Sequence, residues 1–370
     1  MKRTILILLL IVTLLVPNFV VAEAQPIYVE SEQQSDLLFF EEIFNLVKSS
    51  YPFEVDDSKL IEAALKGMLQ SIDPYSNYYT KEEAESTFAP IYGTFTGIGV
   101  YIEEKDGYIN VVNTIKGQPA EKAGMKKDDL IISVNDADIK GIGLDKASAM
   151  IKGPKGTKVK IGIKRGDKIL TFDIVRDTIT INPVKYEILE NNIGYILIEE
   201  FNSQTTTEVK KALNVFDQKK ITKVILDLRD NPGGLLNEAL SITRLFVPAG
   251  PILHVKEKNK DLVTHRSLLL KSKYKLAVLV NGNSASASEI VAGAIKDRKA
   301  GTLIGTKTFG KGIIQSLISI SDGSIVKLTT AEYLTPNKTS IHGKGIEPNI
   351  IIENTEKEDL QLNKAIEILK

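Results

Sequence analysis

The sequence predicts an α/β protein of several domains, and three observations along its 370 residues carry that expectation. Beyond Asn191, apolar runs of strand length alternate with stretches of helical periodicity, the order that builds an α/β core. Between Phe95 and Ile174 short strand-like runs dominate, with two helical patches among them. Before Phe88 the apolar residues recur at steps of three and four. A chain of this length has room for two or three domains with ample core.

The amino terminus reads as an export segment. Lys2-Arg3, an apolar run over 4–16 and the small-residue boundary Ala22-Glu23-Ala24 have the order of a signal peptide. The apolar stretch also approaches the ~20 residues that span a bilayer, so residues 1–24 are expected to be either a cleaved signal or a retained anchor. Either way the remainder is expected to be extracytoplasmic, secreted or held at the cell membrane. Lys and Arg total 47, as do Asp and Glu, and this balance gives no nucleic-acid footprint. With no cysteine, disulfides, thiol catalysis and thiolate metal sites are excluded. The three histidines, His254, His265 and His342, have no metal-ligand spacing, and no metal or other cofactor is expected.

Leu37, Leu38, Phe40, Ile43, Phe44 and Val47 predict a first helix that ends at a Tyr51-Pro52 break. A second is expected over 58–72 and a short third over 81–88, separated by a turn at 73–79. These helices read as a packed or oligomer-forming arm. Strands are then expected within 95–102 and over 109–112, 130–134, 159–164 and 169–174, with helical patches at 120–125 and 144–151. Past Arg176 the pattern predicts a strand over 193–198, a helix over 207–217 and a buried strand over 224–229. That strand ends in Asp230-Asn231-Pro232-Gly233-Gly234, before a helix over 236–246.

The chain is organised around residues 275–315. An apolar run over 276–280 reads as a buried strand, and Asn281-Gly282-Asn283 is turn chemistry. Small and apolar residues at helical spacing follow from Ser284, so Ser284, Ser286 and Ser288 sit where a helix begins. Free N–H groups there favour an anion or a developing oxyanion, although serine is also simply a favoured N-cap. Then comes Thr308-Phe309-Gly310-Lys311-Gly312, a lysine between two glycines, ahead of a strand-like run over 313–320. An ordinary lysine, with a pKa near ~10.4, cannot take a proton from a hydroxyl at neutral pH. It becomes a base once desolvation or a neighbouring field disfavours its charge.

The phrases S-A-S-A-S-E, T-F-G-K-G-x-x-Q and N-P-G-G resemble the catalytic region of the carboxyl-terminal processing, or tail-specific, proteases. The likeness runs from about Ser35 to the end and includes D-P-Y-S-x-Y-Y-T near the amino terminus. It implies an α/β protease core of the ClpP/crotonase-like type with a Ser/Lys catalytic site. Matched residue by residue, Ser286 is the nucleophile, Lys311 its general base and Gln315 the amide that orients the lysine. An amide suits that place because it holds the amine without a charge that would raise its pKa. Gly233 and Gly234, at a strand-to-helix turn, are candidate oxyanion-hole residues, one glycine N–H acting with that of Ala287. Asp230 stands where the family usually has asparagine.

The phrase Q-P-A-E-K-A-G-M-K-K-D-D-L-I-I-S-V-N resembles the PDZ domain these proteases carry, with Lys152 where the family's I-R-G phrase has arginine. PDZ domains bind an extended peptide by strand addition and hold its carboxylate in backbone N–H groups, for which Gly97, Ile98, Gly99 and Val100 are the candidates. The expected domains are therefore a leader over 1–24, helices over 25–92, a PDZ domain over 93–176 and a serine protease core over 177–370. The expected activity is that of an exported serine endopeptidase acting on proteins or peptides with free C-termini. The expected partners also include a second copy through the N-terminal helices and an activating protein. The rival reading is a PDZ scaffold that captures C-termini without cutting them. An NTPase is excluded because Gly305 to Lys311 is followed by glycine and a strand-like run instead of the phosphate loop's hydroxyl and helix. A Ser/His/Asp hydrolase is disfavoured because His342, the only histidine after Ser286, lies in a glycine-rich loop.

Overall fold

The computed structural model describes residues 31–88, 91 and 94–370, and the predicted leader lies outside them. The described residues fall into two compact units, one ending at Ile61 and the other comprising Glu62–Lys370. In the first unit the helix Ser31–Ser50 leaves Leu37, Leu38, Phe39, Phe40, Ile43 and Val47 exposed. No described helix is long and apolar enough to cross a membrane.

In the second unit, a six-stranded sheet is built on the order Val100–Lys105, Tyr108–Thr114, Leu130–Val134, Lys158–Arg165, Lys168–Val175, with Ala137–Asp138 paired to the third. Its strands alternate, so that Val159, Ile161 and Ile163 turn inward with Ile109, Val111 and Ile131. The helices Pro119–Ala123 and Leu144–Ile151 contribute Ala120, Ala147 and Ile151 to the same core. Asp129, wholly buried, receives two hydrogen bonds from Arg165 at 2.6 and 2.7 Å. Arg176 is also buried, where its guanidinium caps the carboxyl end of Leu144–Ile151 by donating to the carbonyls of Met150 and Ile151. Before and after this sheet, Thr94–Gly97 and Asp177–Thr180 pair antiparallel with each other.

The larger core is a six-stranded sheet in the order Val184–Leu189, Ile193–Ile198, Lys223–Asp227, Lys275–Val280, Thr302–Gly305, Ile350–Ile351. Only the first pair is antiparallel. The helices Thr205–Gln218, Leu236–Phe246 and Ala287–Asp297 cover one face, where Val224, Leu226, Val278 and Val280 meet Phe216, Phe246 and Ile295. Ile225, Ala277 and Leu279 point the other way, toward Ala365 and Leu369 of the C-terminal helix Leu360–Leu369. Strands buried on both faces read as continuous apolar runs, which is why 224–229 and 276–280 stood out in the sequence.

A second, antiparallel sheet sits on this core, in the order Asn77–Tyr79, Ile325–Leu334, Gly250–Glu257, Val263–Ser267, with Ile313–Ser319 also paired to Ile325–Leu334. Here the structure corrects two sequence expectations. Residues 77–79 are a strand, because the turn before them delivers the chain to the edge of Ile325–Leu334. The helix after Lys275–Val280 begins at Ala287, because the two preceding serines form the turn into it.

Candidate active site

Lys275–Val280 ends at Asn281, and the chain reverses into Ala287–Asp297 with Ser286 as N-cap. Ser286 has φ 54° and ψ −112°, a backbone conformation that costs a side-chain-bearing residue free energy and persists only where its surroundings enforce it. A strained serine on a strand-to-helix turn is also the device that lifts a nucleophile out of an α/β sheet. The enforcing surroundings are the turn that follows Lys223–Asp227. A Cβ on Gly233 would lie 2.8 Å from Cβ of Ser286 and 2.9 Å from the carbonyl of Ala285, so only glycine lets the two turns meet. The N–H of Ala285 donates to the carbonyl of Asn231 at 3.0 Å, and the Ser288 hydroxyl donates to the same oxygen at 3.0 Å. The Ser284 hydroxyl donates to the carbonyl of Leu228 at 2.7 Å. Ser284 and Ser288 are fully buried in these scaffold bonds, whereas Ser286 is half-buried and lines a cavity of about 480 Å³.

Lys311, on the loop between Thr302–Gly305 and Ile313–Ser319, lines the same cavity, as does Gln315. Two buried side chains tie the lysine to the serine. Glu289, in the first turn of the helix, accepts through Oε2 from the N–H of Ser286 at 3.0 Å and of Lys311 at 2.8 Å. Its Oε1 accepts from the Thr308 hydroxyl at 2.6 Å and the N–H of Gly310 at 2.7 Å. The hydroxyl of Tyr333 donates a three-centre bond to the carbonyls of Lys311 at 2.7 Å and Ser286 at 3.0 Å.

Burial holds the Lys311 pKa below its ordinary value, nearby Lys327 adds to that depression, and Asp73 opposes it. Its Nζ lies 4.8 Å from the centre of the Tyr75 ring, a cation–π position. Tyr75 belongs to a turn in which Asp73 Oδ1 accepts the N–H groups of Tyr75 and Ser76, both at 2.7 Å. Ser76 Oγ accepts the N–H of Thr329 at 3.1 Å, which fixes the turn to Ile325–Leu334. The amide of Gln315 donates to the Thr329 hydroxyl at 3.4 Å. Among the described residues, Nζ of Lys311 makes no hydrogen bond to Ser286 or Gln315.

The three oxyanion-hole candidates separate. The N–H of Gly233 donates to Asn231 Oδ1 at 2.9 Å. The N–H groups of Gly234 and Ala287 have no hydrogen-bond partner among the described residues, and both residues line the cavity beside Ser286. Asp230, in the left-handed region at φ 58°, receives the side-chain amides of Asn281 and Asn283 at 2.9 and 2.8 Å. An aspartate tolerates that backbone about as well as the usual asparagine does. Away from the cavity, Ile98 and Gly99 connect Thr94–Gly97 to Val100–Lys105. The carbonyls of Ile98 and Gly99 accept the N–H groups of Ala120 and Ile115 at 2.8 and 3.0 Å, while their own N–H groups have no partner among the described residues.

Sequence reasoning missed Glu289, Tyr333, Tyr75 and Lys327. Each had a weak signal except Lys327: Glu289 stands at the capping-box spacing S-x-x-E from Ser286, Tyr75 in the D-P-Y-S turn, and Tyr333 at the start of Y-L-T-P, a phrase that also resembles the family.

Residues 192–352 match peptidase family S41, residues 96–175 a PDZ domain, and residues 21–83 the activating protease CtpB N-terminal domain. The chain is 43% identical over 314 residues to the carboxy-terminal processing protease CtpA of Bacillus subtilis, spanning 84% of this chain and 67% of that protein. It is 40% identical over 341 residues to the carboxy-terminal-processing protease of Bartonella bacilliformis, spanning 89% and 78%. Among solved structures it resembles the photosystem II D1 C-terminal processing protease, with a TM-score of 0.51 and 28% identity over 92% of this chain and 98% of that one.

Proposed function

We propose, on the premise that this chain belongs to peptidase family S41 and is a serine-type peptidase with a PDZ domain, that it is an exported endopeptidase that reads a C-terminus and cuts through a Ser286/Lys311 dyad. One observation carries the assignment. Of the three serines in the S-A-S-A-S run only Ser286 opens to the cavity, and its backbone is tied to that of Lys311 on both its N–H and C=O sides.

In the proposed reaction Ser286 Oγ attacks the scissile carbonyl carbon while Nζ of neutral Lys311 takes the hydroxyl proton. The N–H groups of Gly234 and Ala287 receive the oxyanion. Collapse of the tetrahedral intermediate breaks the C–N bond, and Lys311 returns its proton to the leaving amine. A water, deprotonated by the Lys311 amine, then attacks the acyl ester, and as the C–O bond to Ser286 breaks Lys311 returns that proton to Oγ. The amine first leaves the Tyr75 ring for the serine, and Gln315 steadies it there without adding charge. The depressed Lys311 pKa supports its role as a base.

Substrate C-termini are read at Gly97, Ile98, Gly99 and Val100. The free N–H groups of Ile98 and Gly99 and the edge position of Val100–Lys105 support strand addition there. The exposed apolar residues of Ser31–Ser50 support the reading of that helix as a self-associating arm.

The test is proteolysis of an unfolded protein by the full chain and by the Ser286→Ala and Ser284→Ala variants. Ser286→Ala is expected to lose all cleavage with an unchanged melting profile. Wild-type cleavage by Ser286→Ala, with the loss in Ser284→Ala instead, overturns the assignment.

A further inference from the structure

Lys327 lies on Ile325–Leu334 opposite Leu317, half-buried, and lines the same cavity as Ser286 and Lys311. Side chains two apart on a strand share a face. Lys327 therefore shares a face with Thr329, which meets Gln315, while a register shift beyond Thr329 brings Tyr333 to the same cavity from the next stretch of the strand. Among the described residues, the charged ones lining the cavity are Lys311 and Lys327, and none of those lining it carries a carboxylate. Among the described residues Lys327 has neither an ion-pair nor a hydrogen-bond partner. The remaining wall is largely apolar, with Phe88, Leu235, Ile290, Ile313 and Leu317.

A half-desolvated ammonium beside a second amine, without a counter-ion, is an unfavourable arrangement that an apolar residue on the same strand would avoid. It becomes favourable when an anion enters the cleft, and in a peptidase that anion is carried by the peptide. We infer that Lys327 is a specificity-determining residue that pairs with a substrate carboxylate beside the scissile bond, so that the cleft selects acidic over neutral segments and disfavours basic ones. The inference rests on the cleft being the proteolytic site. The carboxylate has two sources of the same chemistry, an Asp or Glu side chain or the end of the chain itself. The other groups around the two lysines are Asp73 and Tyr75 on the turn, Glu289 on the helix and Tyr333 on the same strand. Of these the two acids are bound to neighbouring protein groups.

The experiment uses the full chain and a peptide that the wild type cuts at a single bond, identified by mass spectrometry. Asp, Asn or Lys is placed at each of the two positions on either side of that bond, with a free or amidated C-terminus. kcat/KM is compared for wild type, Lys327→Arg and Lys327→Met at a pH where Lys311 is fully deprotonated. Wild type is expected to favour Asp over Asn at one position by about tenfold, the scale of a partly desolvated charge pair. The ratio is expected to fall to near one in Lys327→Met and to persist in Lys327→Arg. If the free-to-amidated ratio collapses in Lys327→Met instead, the chain end is the source. Asp/Asn and free/amidated ratios that Lys327→Met leaves unchanged overturn the inference. So does a uniform loss on every peptide with the acid limb of the pH profile moved upward, since Lys327 would then act through Lys311 alone. Cleavage surviving in Ser286→Ala is a separate result, and would overturn the reading of the cleft without reference to Lys327.

Discussion

The backbone N–H groups of Ser286 and Lys311 converge on a single oxygen, Oε2 of Glu289, although the two residues lie on different elements of the core. Their carbonyls converge in turn on the hydroxyl of Tyr333. The relative position of the two backbones is thus fixed by two buried polar groups, while the lysine amine remains able to move at the end of its stem.

Glu289→Gln turns one acceptor oxygen into a donor facing N–H groups. The variant is expected to lose about 3 kcal/mol of stability, in line with breaking a buried charge-assisted network. Its kcat/KM is expected to fall about a hundredfold, the scale of misplacing a reacting group by an ångström. Urea unfolding and peptide kinetics check both, and a wild-type midpoint and rate would remove Glu289 from the positioning of the pair.

Tyr333→Phe removes the carbonyl tie and keeps the packing of a ring that is 1% exposed. The stability cost is expected to be about 1–2 kcal/mol. The catalytic effect should fall on kcat, by about tenfold, with little change in KM, because the lost hydroxyl ties the backbones of Ser286 and Lys311 while the ring that lines the cavity is kept. A rise in KM at constant kcat would place Tyr333 in substrate binding.

Lys311→Met is expected to be inactive yet more stable than wild type near neutral pH. The folded-state pKa is depressed from the ordinary 10.5, first by burial and then by Lys327. Between the folded and ordinary values the unfolded chain binds the extra proton, so wild-type stability rises with pH across that window. The advantage of methionine is therefore largest below the folded pKa and fades as pH approaches 10.5. A gain of about 2 °C in Tm at pH 7, shrinking by pH 10, is the expected calorimetric result. A pH-independent difference would mean that packing, and not the titration, sets it.

Ser286→Gly relieves the φ of 54° that the native residue is forced to adopt. Both Ser286→Gly and Ser286→Ala are expected to be inactive, with the glycine variant about 1 kcal/mol the more stable. Equal stability would show that the turn carries no backbone strain.

Much of the architecture was legible because its elements are locally consistent. The helices Leu144–Ile151 and Leu236–Phe246 fall at the predicted bounds, since their apolar spacing begins and ends with the helix itself. The strands Val184–Leu189, Gly250–Glu257 and Thr302–Gly305 were not anticipated. The first is an edge strand that mixes Lys185 and Glu187 with apolar residues, and the last is only four residues long. Ser286, Lys311 and Gln315 were recognised as a phrase, and the structure brings all three to one cavity. The role of Tyr333 was not legible, because its partners lie 22 and 47 residues away, a distance that no local pattern encodes. The roles of Tyr75 and Lys327 escaped for the same reason, since each comes near Lys311 only after the second sheet is assembled.

Gly97 and Asp177 are register partners at adjoining ends of an antiparallel pair. Topologically, residues 98–176 occupy the place of a hairpin loop, leaving and re-entering through one rung of that two-stranded ladder. Such an insert can be treated as a cassette. Joining Gly97 to Asp177 through Asn-Gly, the two-residue connection that antiparallel strands favour, should close the ladder without disturbing the rest of the chain. The shortened protein is expected to unfold cooperatively, and any module whose own ends lie a strand spacing apart should be exchangeable at the same rung.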